Sequence, residues 1–433
     1  MNSIKQFLIL FTFGCFWGCS GPHGDWGDSR VILISIDGFR GDILRGRSFA
    51  GDLPNLARLS EMGESCSNVQ TVFPSLTYPA HTSMITGVLP QKHGILNNRP
   101  FIPEKNFIDW FWYADSIKVP TLITKSHDKG LVTLGVSWPV TVGAKMDWML
   151  PEMKSVHDSI STIDLVRKHD HPKSFLESAT VRGVVPEDGN PKGFGRDLLL
   201  HEIFMDAFTH KAPHLSLYHM IETDLVQHKF GKETPEAKNA FMFMDSLVGN
   251  IMSFLDKNEL WESTTLIIVG DHGFRNYKKQ VNVNRLFEKE GWVKIKDGLI
   301  SEWDVVCLAS GGSGFIRLKN PSDKAFKKKV RLLLSKQIEF EILETRHMNG
   351  NLWAPPETDF LLLANKDFGF VRSANLPYVT EKAGGSHGGD PRHSYLKAGF
   401  IAAGRGINNR KLDSMHVTDV AHKISELLDL GLE

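Results

Sequence analysis

The chain has 433 residues, of which 41% are hydrophobic and 23% are charged, values typical of a globular protein. Lysine plus arginine and aspartate plus glutamate number 50 each, so no net field favours a nucleic-acid polymer or an acidic membrane. An anionic ligand must therefore be attracted by a local site. The length suits one large α/β domain with insertions, expected over residues 28–430, or two domains.

A leader is the first predicted element. Lys5 precedes an apolar run at residues 7–13 that is too short to span a bilayer and is typical of a secretory signal. Residues 16–20 resemble a bacterial lipobox, with Cys19 as the residue that would be lipidated, although Phe16 stands where Leu is usual. We therefore predict a signal peptide of lipoprotein type at residues 1–19, export to the periplasm or cell envelope, and membrane contact only through an N-terminal lipid anchor. Plain cleaved secretion and an uncleaved core segment are the alternatives, and in an exported protein Cys66 and Cys307 could pair.

The following elements predict a doubly wound α/β fold. Residues 31–36 form an apolar run suited to a strand that is buried on both faces, and Leu56, Leu59 and Met62 share one helical face. Further strands are predicted at residues 69–73, 131–136, 213–220, 264–270, 360–364 and 398–403, and helices at 198–208, 324–336 and 417–428. Alternating strands and helices predict a central, mostly parallel sheet flanked by helices.

Two segments are predicted to be insertions on this sheet. Residues 152–196 are polar and rich in glycine, proline and charge, and residues 281–356 show a weaker periodicity. The lysines of the helix at 324–336 are interpreted mainly as a solvated face.

Residues 73–87 connect a predicted strand to a helix. Pro79 suits the first helical turn and Gly87 suits the position just past the helix, which places Thr77 near the N-cap. The unpaired amides of a helix start, with the positive end of the helix dipole, would hold a phosphate against the Thr77 hydroxyl. The alternative is that Thr77 only caps the helix.

Acidic residues and histidines follow several predicted strands. Asp37, Asp224 and Asp271 each come shortly after a strand, and ligands of open α/β sheets gather outside the carboxyl ends of the strands. Asp224 and His228 are four residues apart and would share a helical face. With His272, and with His387 in a glycine-rich loop, six ligands suited to zinc, or to manganese or magnesium, are available. Singly, each has an ordinary explanation; together with Thr77 they are enough for two metals.

The barrier of phosphate ester hydrolysis explains why two metals would be needed. It requires a reduction at or beyond about 20 kcal/mol, whereas acid–base catalysis supplies roughly 3–6 kcal/mol. A metal at the Thr77 oxygen would lower its pKa, and a second metal would stabilise the leaving oxygen.

As an ordered set, these motifs resemble the nucleotide pyrophosphatase/phosphodiesterase family of the alkaline phosphatase superfamily. The resemblance is carried by Ser-Ile-Asp-Gly-Phe-Arg at 35–40, residues 73–87, His-Gly-Ile at 93–95 with Asn98, Glu-Thr-Asp at 222–224 with His228, Gly-Asp-His-Gly at 270–273 and Gly-Ser-His-Gly at 385–388. It covers most of the chain after the leader and implies an alkaline-phosphatase-like sandwich.

The resemblance also implies roles for individual residues. One zinc ion would be bound by Asp37, Thr77, Asp271 and His272, and the other by Asp224, His228 and His387. Thr77 would attack in line and form a covalent phosphothreonine, which is then hydrolysed. Asn98 would hold a phosphoryl oxygen, the alternative being an ordinary turn residue.

Departures from the family pattern affect the substrate more than the metal chemistry. Ala80 stands where the family usually has Asn, His219 where it often has a base-stacking Tyr, and Gln227 where it usually has Gly. Tyr78 is predicted either to stack on a nucleobase or to be a packed aromatic residue. We expect a small phosphodiester or nucleotide substrate and no nucleic-acid polymer; a phosphate monoesterase and a non-catalytic metal-binding surface protein are the alternatives.

Overall fold

The computed structural model of the chain describes residues 28–46, 48–49, 51–155, 160–181, 192–344, 352–373 and 376–432. The predicted leader and its lipobox lie outside these residues. The α-helices of the described residues are α1 Gly41–Leu44, α2 Pro54–Met62, α3 Thr77–Thr86, α4 Pro90–His93, α5 Leu122–Asp128, α6 Thr162–His169, α7 Phe175–Val181, α8 Phe194–Lys211, α9 Glu222–Phe230, α10 Pro235–Lys257, α11 Val283–Lys289, α12 Lys324–Leu334 and α13 Asp419–Leu428.

The strands of the same residues belong to four sheets. They are β1 Arg30–Ile36, β2 Glu64–Gln70, β3 Thr133–Val136, β4 Trp148–Leu150, β5 Leu215–Met220, β6 Thr264–Val269, β7 Arg275–Val281, β8 Val293–Lys296, β9 Leu299–Trp303, β10 Val305–Ser310, β11 Ser313–Leu318, β12 Phe340–Glu344, β13 Phe360–Ala364, β14 Phe368–Phe370, β15 Val379–Ser386, β16 Ala398–Gly404, β17 Arg410–Leu412 and β18 Met415–His416.

The largest sheet has nine strands in the order β17-β2-β16-β6-β1-β5-β3-β4, with β18 also paired to β2. Pairs β1–β5, β1–β6 and β3–β5 are parallel, whereas β16 runs antiparallel to both of its neighbours. The predicted α/β class with a central sheet is confirmed, and the sheet is mixed.

Alternate residues of β1 face two separate cores. Ile32, Ile34 and Ile36 pack in one core with side chains of α2, α8 and α10, whereas Val31 and Leu33 pack in the other with α3, α5 and α13. Successive side chains of a strand point to opposite faces of the sheet, so helices cover both faces. The result is a three-layer sandwich whose central strands are completely buried.

The region around Thr77 departs from two expectations. Strand β2 ends at Gln70 rather than at Phe73, and just beyond its end the Thr71 hydroxyl donates to the Asp271 carbonyl. Helix α3 begins at Thr77 itself, its N-cap is Leu76, and no side chain caps it. Capping is therefore not what the Thr77 hydroxyl does in this structure.

The two predicted insertions contain regular elements. Residues 152–196 carry α6, α7 and the start of α8, which begins four residues before the predicted helix at 198–208. Residues 281–356 carry α11, α12 and strands β8 to β12, packed around a third core. The limits of both insertions, and of a single domain over 28–430, remain predictions.

Three smaller expectations concern the surface and the thiols. The lysines 324, 328 and 329 of α12 are exposed, as a solvated face requires. Cys66 and Cys307 are both buried free thiols, so they do not pair. Among the described helices, none has both the length and the apolar character needed to cross a membrane.

Candidate metal centre

Three neighbouring parallel strands bring the predicted ligands together. In the order β6-β1-β5, Asp271 follows β6, Asp37 follows β1, and Asp224 lies in the first turn of α9, shortly after β5. Because parallel strands end at the same edge of a sheet, the three carboxylates meet there. All three residues are buried.

One cluster, which we call the buried group, consists of Asp37, Asp271 and His272. One ligand atom from each lies within 4.8 Å of the others. His272 Nε2 is 3.4 Å from Asp37 Oδ1 and 3.1 Å from Asp271 Oδ2. These residues are also three of the four predicted ligands of the first zinc ion.

A second cluster, which we call the outer group, consists of Asp224, His228 and His387. Asp224 Oδ1 lies 3.4 Å from Nε2 of each histidine, and the two Nε2 atoms are 3.0 Å apart. His272 also comes within 4.8 Å of Asp224 and His387, and its ring stacks on that of His387 at 3.6 Å. His272 therefore lies between the two groups rather than in the first alone.

All three histidines are oriented by backbone carbonyls. Nδ1 of His387 bonds to the Ser75 carbonyl at 2.8 Å, Nδ1 of His228 to that of Gly385 at 2.9 Å, and Nδ1 of His272 to that of Gly273 at 3.2 Å. A carbonyl only accepts, so each Nδ1 carries the proton and each Nε2 presents a lone pair to the site. This arrangement is typical of histidines that bind a metal.

Several buried ligand atoms have no hydrogen-bond partner among the described residues. They are Asp37 Oδ1, Asp224 Oδ1, Asp271 Oδ2 and His272 Nε2. Each belongs to one of the two groups, and a buried unsatisfied polar atom is costly unless something else binds it. Oxygen and imidazole nitrogen are ligands that zinc accepts, so the residues fit a divalent metal.

The electrostatics of the site also favour a cation. Burial, with the nearby charges of Asp224 and Asp271, raises the pKa of Asp37 well above its usual range, and burial raises the pKa of Asp271 to about 7. Burial lowers the pKa of His387 to about 4, which favours the neutral form that binds metal. A bound cation would compensate the crowded carboxylates without having to displace protons from these histidines.

The turn that leads into α3 is attached to both groups. The Ser75 carbonyl accepts from His387 Nδ1 at 2.8 Å and from the Gly388 amide at 2.9 Å. The Thr77 carbonyl accepts from Nδ1 of His81, an atom that lies 3.8 Å from Asp271 Oδ2. Thr77 is thus the first residue of a helix held against the ligands of both groups.

Position 388, whose amide donates to the Ser75 carbonyl, requires glycine. Gly388 has φ +84°, and a Cβ atom there would lie 2.1 Å from the Ser310 carbonyl oxygen. Other residues rarely adopt this φ, and the space for a side chain is absent. The last residue of the Gly-Ser-His-Gly motif is therefore glycine because the backbone of the loop that carries His387 leaves no space for a side chain there.

Comparison with known proteins decides the family. The sequence matches the type I phosphodiesterase/nucleotide pyrophosphatase family over residues 31–390. The chain belongs to this family. Its members are phosphodiesterases and nucleotide pyrophosphatases that depend on metal, so the predicted hydrolase class is confirmed at the level of the family.

Relatives of this phosphodiesterase family cover the chain to different extents. An uncharacterised pyrophosphatase/phosphodiesterase of Schizosaccharomyces pombe is 25% identical over 93% of this chain and 77% of its own length. A bis(5'-adenosyl)-triphosphatase of Homo sapiens is 25% identical over 65% of this chain and 55% of its own, and ectonucleotide pyrophosphatase/phosphodiesterase family member 1 of Mus musculus is 26% identical over 62% and 27%. The chain therefore spans only part of the last two proteins.

The fold is that of a solved family member. Murine ectonucleotide pyrophosphatase/phosphodiesterase 5, as an inactive threonine-to-alanine variant in complex with AMP, superposes with a TM-score of 0.68 at 17% identity, over 94% of this chain and 96% of that one. The predicted alkaline-phosphatase-like architecture is confirmed by this likeness.

The start of α3 offers fewer phosphate donors than the sequence predicts. Pro79 has no amide hydrogen, the Tyr78 amide donates to Asn98 Oδ1 at 2.9 Å, and the Ala80 amide donates to the Leu76 carbonyl at 3.1 Å. Of the amides of residues 77–80, only that of Thr77 has no partner recorded among the described residues. The helix start therefore supplies one donor rather than a set of them.

Tyr78 and Asn98 have different environments. Tyr78 is 1% exposed and its ring packs on Trp110 at 5.2 Å, so the structure shows the packed-aromatic alternative rather than a face open to a nucleobase. Asn98 is only partly buried, and its Oδ1 is occupied by the Tyr78 amide. Its amide nitrogen is left as the donor that can face a ligand.

Sequence reasoning assigned no role to His219 or Glu152. His219 pairs with Ser35 in the β1–β5 register, so it points to the same face as Asp37, two residues further on. Burial alone would lower the pKa of His219, but the carboxylates of Asp37 and Glu152 raise it to about 10. The strand-end position of His219 was visible in the sequence; the approach of Glu152, from a different segment, was not.

Proposed function

We propose that this protein is a two-metal phosphodiesterase or nucleotide pyrophosphatase in which Thr77 is the nucleophile. The observation that carries the proposal is the pair of Nε2 lone pairs, on His228 and His387, that face each other across 3.0 Å. Both Nδ1 atoms hold their protons for backbone carbonyls, so the two lone pairs repel unless a cation lies between them. The Asp224 carboxylate, 3.4 Å from each of these nitrogens, adds negative charge that would also attract a cation.

The residues that would hold the metals follow the two groups. We assign one zinc ion to Asp37, Thr77, Asp271 and His272, and the other to Asp224, His228 and His387. Two such ions would lower the pKa of the Thr77 hydroxyl and neutralise charge on the attacking and leaving oxygens. The mixed oxygen and nitrogen donors, with no cysteine among them, support zinc and also suit manganese.

The chain's own residues would organise the reaction around Thr77. Its oxygen forms a bond to phosphorus while the bond to the leaving oxygen breaks on the opposite side. The bond from His81 to the Thr77 carbonyl keeps the first turn of α3 in place. The Asn98 amide nitrogen and the Thr77 amide are the donors available to phosphoryl oxygens. Attack of water on the phosphothreonine then releases the phosphate monoester and restores the hydroxyl.

We propose a small nucleotide or another small phosphodiester as the substrate. The names of relatives support this choice, since one is a bis(5'-adenosyl)-triphosphatase and a structural neighbour was solved with AMP. That neighbour's inactive form carries a threonine-to-alanine change, which supports a threonine nucleophile. Because Tyr78 is covered, a base would have to be recognised by other side chains.

Two chromogenic esters test the proposal. We expect zinc-loaded protein to cleave bis-p-nitrophenyl phosphate faster than p-nitrophenyl phosphate and to cleave diadenosine triphosphate. Thr77→Ala should abolish turnover and keep the metals, whereas Thr82→Ala, on the same helix with its hydroxyl bonded to the Tyr78 carbonyl, should stay active. Faster cleavage of the monoester would instead identify a phosphate monoesterase, and tightly bound metal without turnover would identify a non-catalytic protein.

We also propose that the protein is exported and anchored by a lipid on Cys19. The pattern of residues 1–20 supports this proposal. Mass spectrometry of the mature N-terminus from a membrane fraction should show a diacylated or triacylated Cys19. A free amine at a residue after a different cleavage point would contradict it.

A further inference from the structure

The two carboxylates of the buried group are held in different ways. Asp271 Oδ1 accepts the amides of Gly38 at 2.9 Å and of His272 at 3.0 Å, which leaves Oδ2 facing the site. Asp37 accepts no amide hydrogen bond among the described residues. Its carboxylate therefore needs a side chain to fix which oxygen faces the cation.

His219 is the side chain in the right place. Its Nε2 lies 3.3 Å from Asp37 Oδ2, whereas Asp37 Oδ1 is the oxygen that lies 3.4 Å from His272 Nε2. The two oxygens are thus divided, one toward His219 and the other toward the metal ligands. Asp37 Oδ1 is also one of the buried atoms without a partner.

The His219 ring is itself fixed from its other side. Nδ1 donates to the Ser137 carbonyl at 3.2 Å and lies 3.7 Å from Glu152 Oε2. The edge of the ring meets His81 with ring centroids 4.3 Å apart, and the side chain is completely buried. Nδ1 has an accepting carbonyl, Nε2 lies close to the Asp37 carboxylate although the described residues record no hydrogen bond there, and His81 lies against the ring edge, which together favour one orientation.

We propose that His219, supported by Glu152, is a positioning residue that turns Asp37 so that Oδ1 is presented to the metal of the buried group. This inference rests on the proposed metal centre. A partner that hydrogen-bonds a metal-binding carboxylate typically contributes 10- to 100-fold in metal affinity. The outer group has no contact with His219 or Glu152 among those recorded for the described residues and should be unaffected.

Zinc binding to the full-length protein tests the inference. Affinity and stoichiometry would be measured by competition with a chromophoric chelator, and folding by the melting temperature of the metal-free protein. For His219→Leu we expect one of two zinc equivalents to bind roughly 10- to 100-fold more weakly. His219→Gln, whose amide can donate to Asp37, should restore most of the affinity, and Glu152→Gln should weaken the same equivalent by a smaller factor.

His201→Leu is the matched control. His201 is also a buried histidine, it lies in α8 with its ring 6.2 Å from that of Tyr218, and neither of its nitrogens has a hydrogen-bond partner within the described part of the chain. This variant removes a buried imidazole of the same size without touching Asp37. Both zinc equivalents should bind to it as to the unmodified protein.

Several results would overturn the inference. They are two equivalents of unchanged affinity in His219→Leu, equal weakening of both equivalents, or no rescue by His219→Gln. Should His219→Leu not fold, unchanged zinc affinity in Glu152→Gln would overturn it instead. If the unmodified protein binds two zinc ions but hydrolyses no ester, the proposed function fails while the positioning role still stands on the zinc data.

Discussion

The buried group and the outer group are built from different parts of the molecule. The side chains of Asp271 and His272 are completely buried, whereas that of His228 is 38% exposed. In the buried group, every ligand follows β1 or β6, which are hydrogen-bonded neighbours in the central sheet. In the outer group, two ligands lie on α9, and His387 follows β15 in a separate three-stranded sheet.

The ligands of the buried group are therefore positioned by one sheet, whereas those of the outer group come from a helix and from a separate sheet. The positions of Asp37 and Asp271 follow from strand pairing and change only if the core changes. The outer group depends on how α9 and β15 are held together, to which the bond from His228 Nδ1 to the Gly385 carbonyl contributes. We therefore expect the buried group to be rigid and slow to exchange its metal, and the outer group to be more easily changed.

The largest expected effect comes from removing one ligand in each group. Asp271→Asn should lose the metal of the buried group and with it several kcal/mol of transition-state stabilisation, roughly 10³-fold or more in kcat/KM. His228→Gln should cost less, roughly 10- to 100-fold, because water can reach the exposed site and take the place of the ring. Metal content and kcat/KM measure both.

A buried aspartate outside the site serves as the control for this pair. Asp245 accepts the amides of Asn55 and Leu56 at the start of α2, so Asp245→Asn should reduce stability and leave kcat/KM nearly unchanged. Equal losses in Asp271→Asn and His228→Gln would remove the distinction between the groups.

The next effect concerns stability without metal. The pKa of Asp271 is raised to about 7 in the folded protein, above the unfolded value of about 3.9. An acid whose pKa rises on folding destabilises the fold once the pH exceeds its unfolded pKa, and the penalty grows until the folded pKa is passed. Asp271→Asn removes the penalty, so in chelator-treated protein its stability relative to the unmodified chain should rise from pH 4 to about pH 7.

The comparison of Asp271→Asn with the unmodified chain is needed because buried histidines such as His387, whose pKa burial lowers to about 4, change stability in the opposite sense over the same pH range. Asp390→Asn provides a control in which the stability difference from the unmodified chain should change with pH in the opposite direction. Although burial acts against it, the bonds from Arg392 lower the pKa of Asp390, so this variant should lose stability relative to the unmodified chain as the pH rises toward the unfolded pKa of about 3.9 and should stay constant above it. Urea unfolding from about pH 3 to about pH 7 measures both; a stability difference for Asp271→Asn that does not change with pH would contradict the raised pKa of Asp271.

A smaller effect is expected in the rate of metal release. With excess chelator, zinc should leave in two phases, the faster from the outer group by roughly tenfold, the equivalent of about 1.4 kcal/mol in barrier. His228→Gln should make the fast phase faster still and leave the slow phase unchanged. A single phase, or loss of the slow phase in His228→Gln, would show that exposure does not set the order of release.

The buried group was the part that the sequence predicted best. Asp37 and the pair Asp271–His272 follow apolar runs long enough to identify as central strands, and adjacent parallel strands end at one edge. Asp224 and His228 could be found from their helical spacing, and the structure places both on α9. His387 was found only through its glycine motif, because no local pattern indicates that β15 returns to this edge.

Other features depended on contacts that are remote in sequence. Strand β16 corresponds to the strand predicted at residues 398–403, but its antiparallel direction and its place between β2 and β6 were not predicted. Val72 and Phe73 favour a strand locally, but the chain leaves the sheet after Gln70, where the Thr71 hydroxyl bonds to the carbonyl of Asp271, a residue remote in sequence. The side chain that faces Asp37, His219, became apparent only when β5 was placed beside β1.

The smallest expected effect tests what holds α9, and hence the outer group, in place. Oδ2 of the buried Asp197 accepts the amides of Ile221 at 2.9 Å and Glu222 at 2.8 Å, so a residue of α8 caps the helix that carries Asp224. Asp197→Asn should reduce the free energy of unfolding by about 1–2 kcal/mol and weaken zinc binding at the outer group a few-fold. Ser161→Ala removes the cap of α6, whose Oγ accepts the Asp164 amide at 3.1 Å, and should reduce stability without changing zinc binding. If both variants lose stability and neither changes zinc affinity, the outer group does not depend on the start of α9, and the contact with β15 alone must hold it.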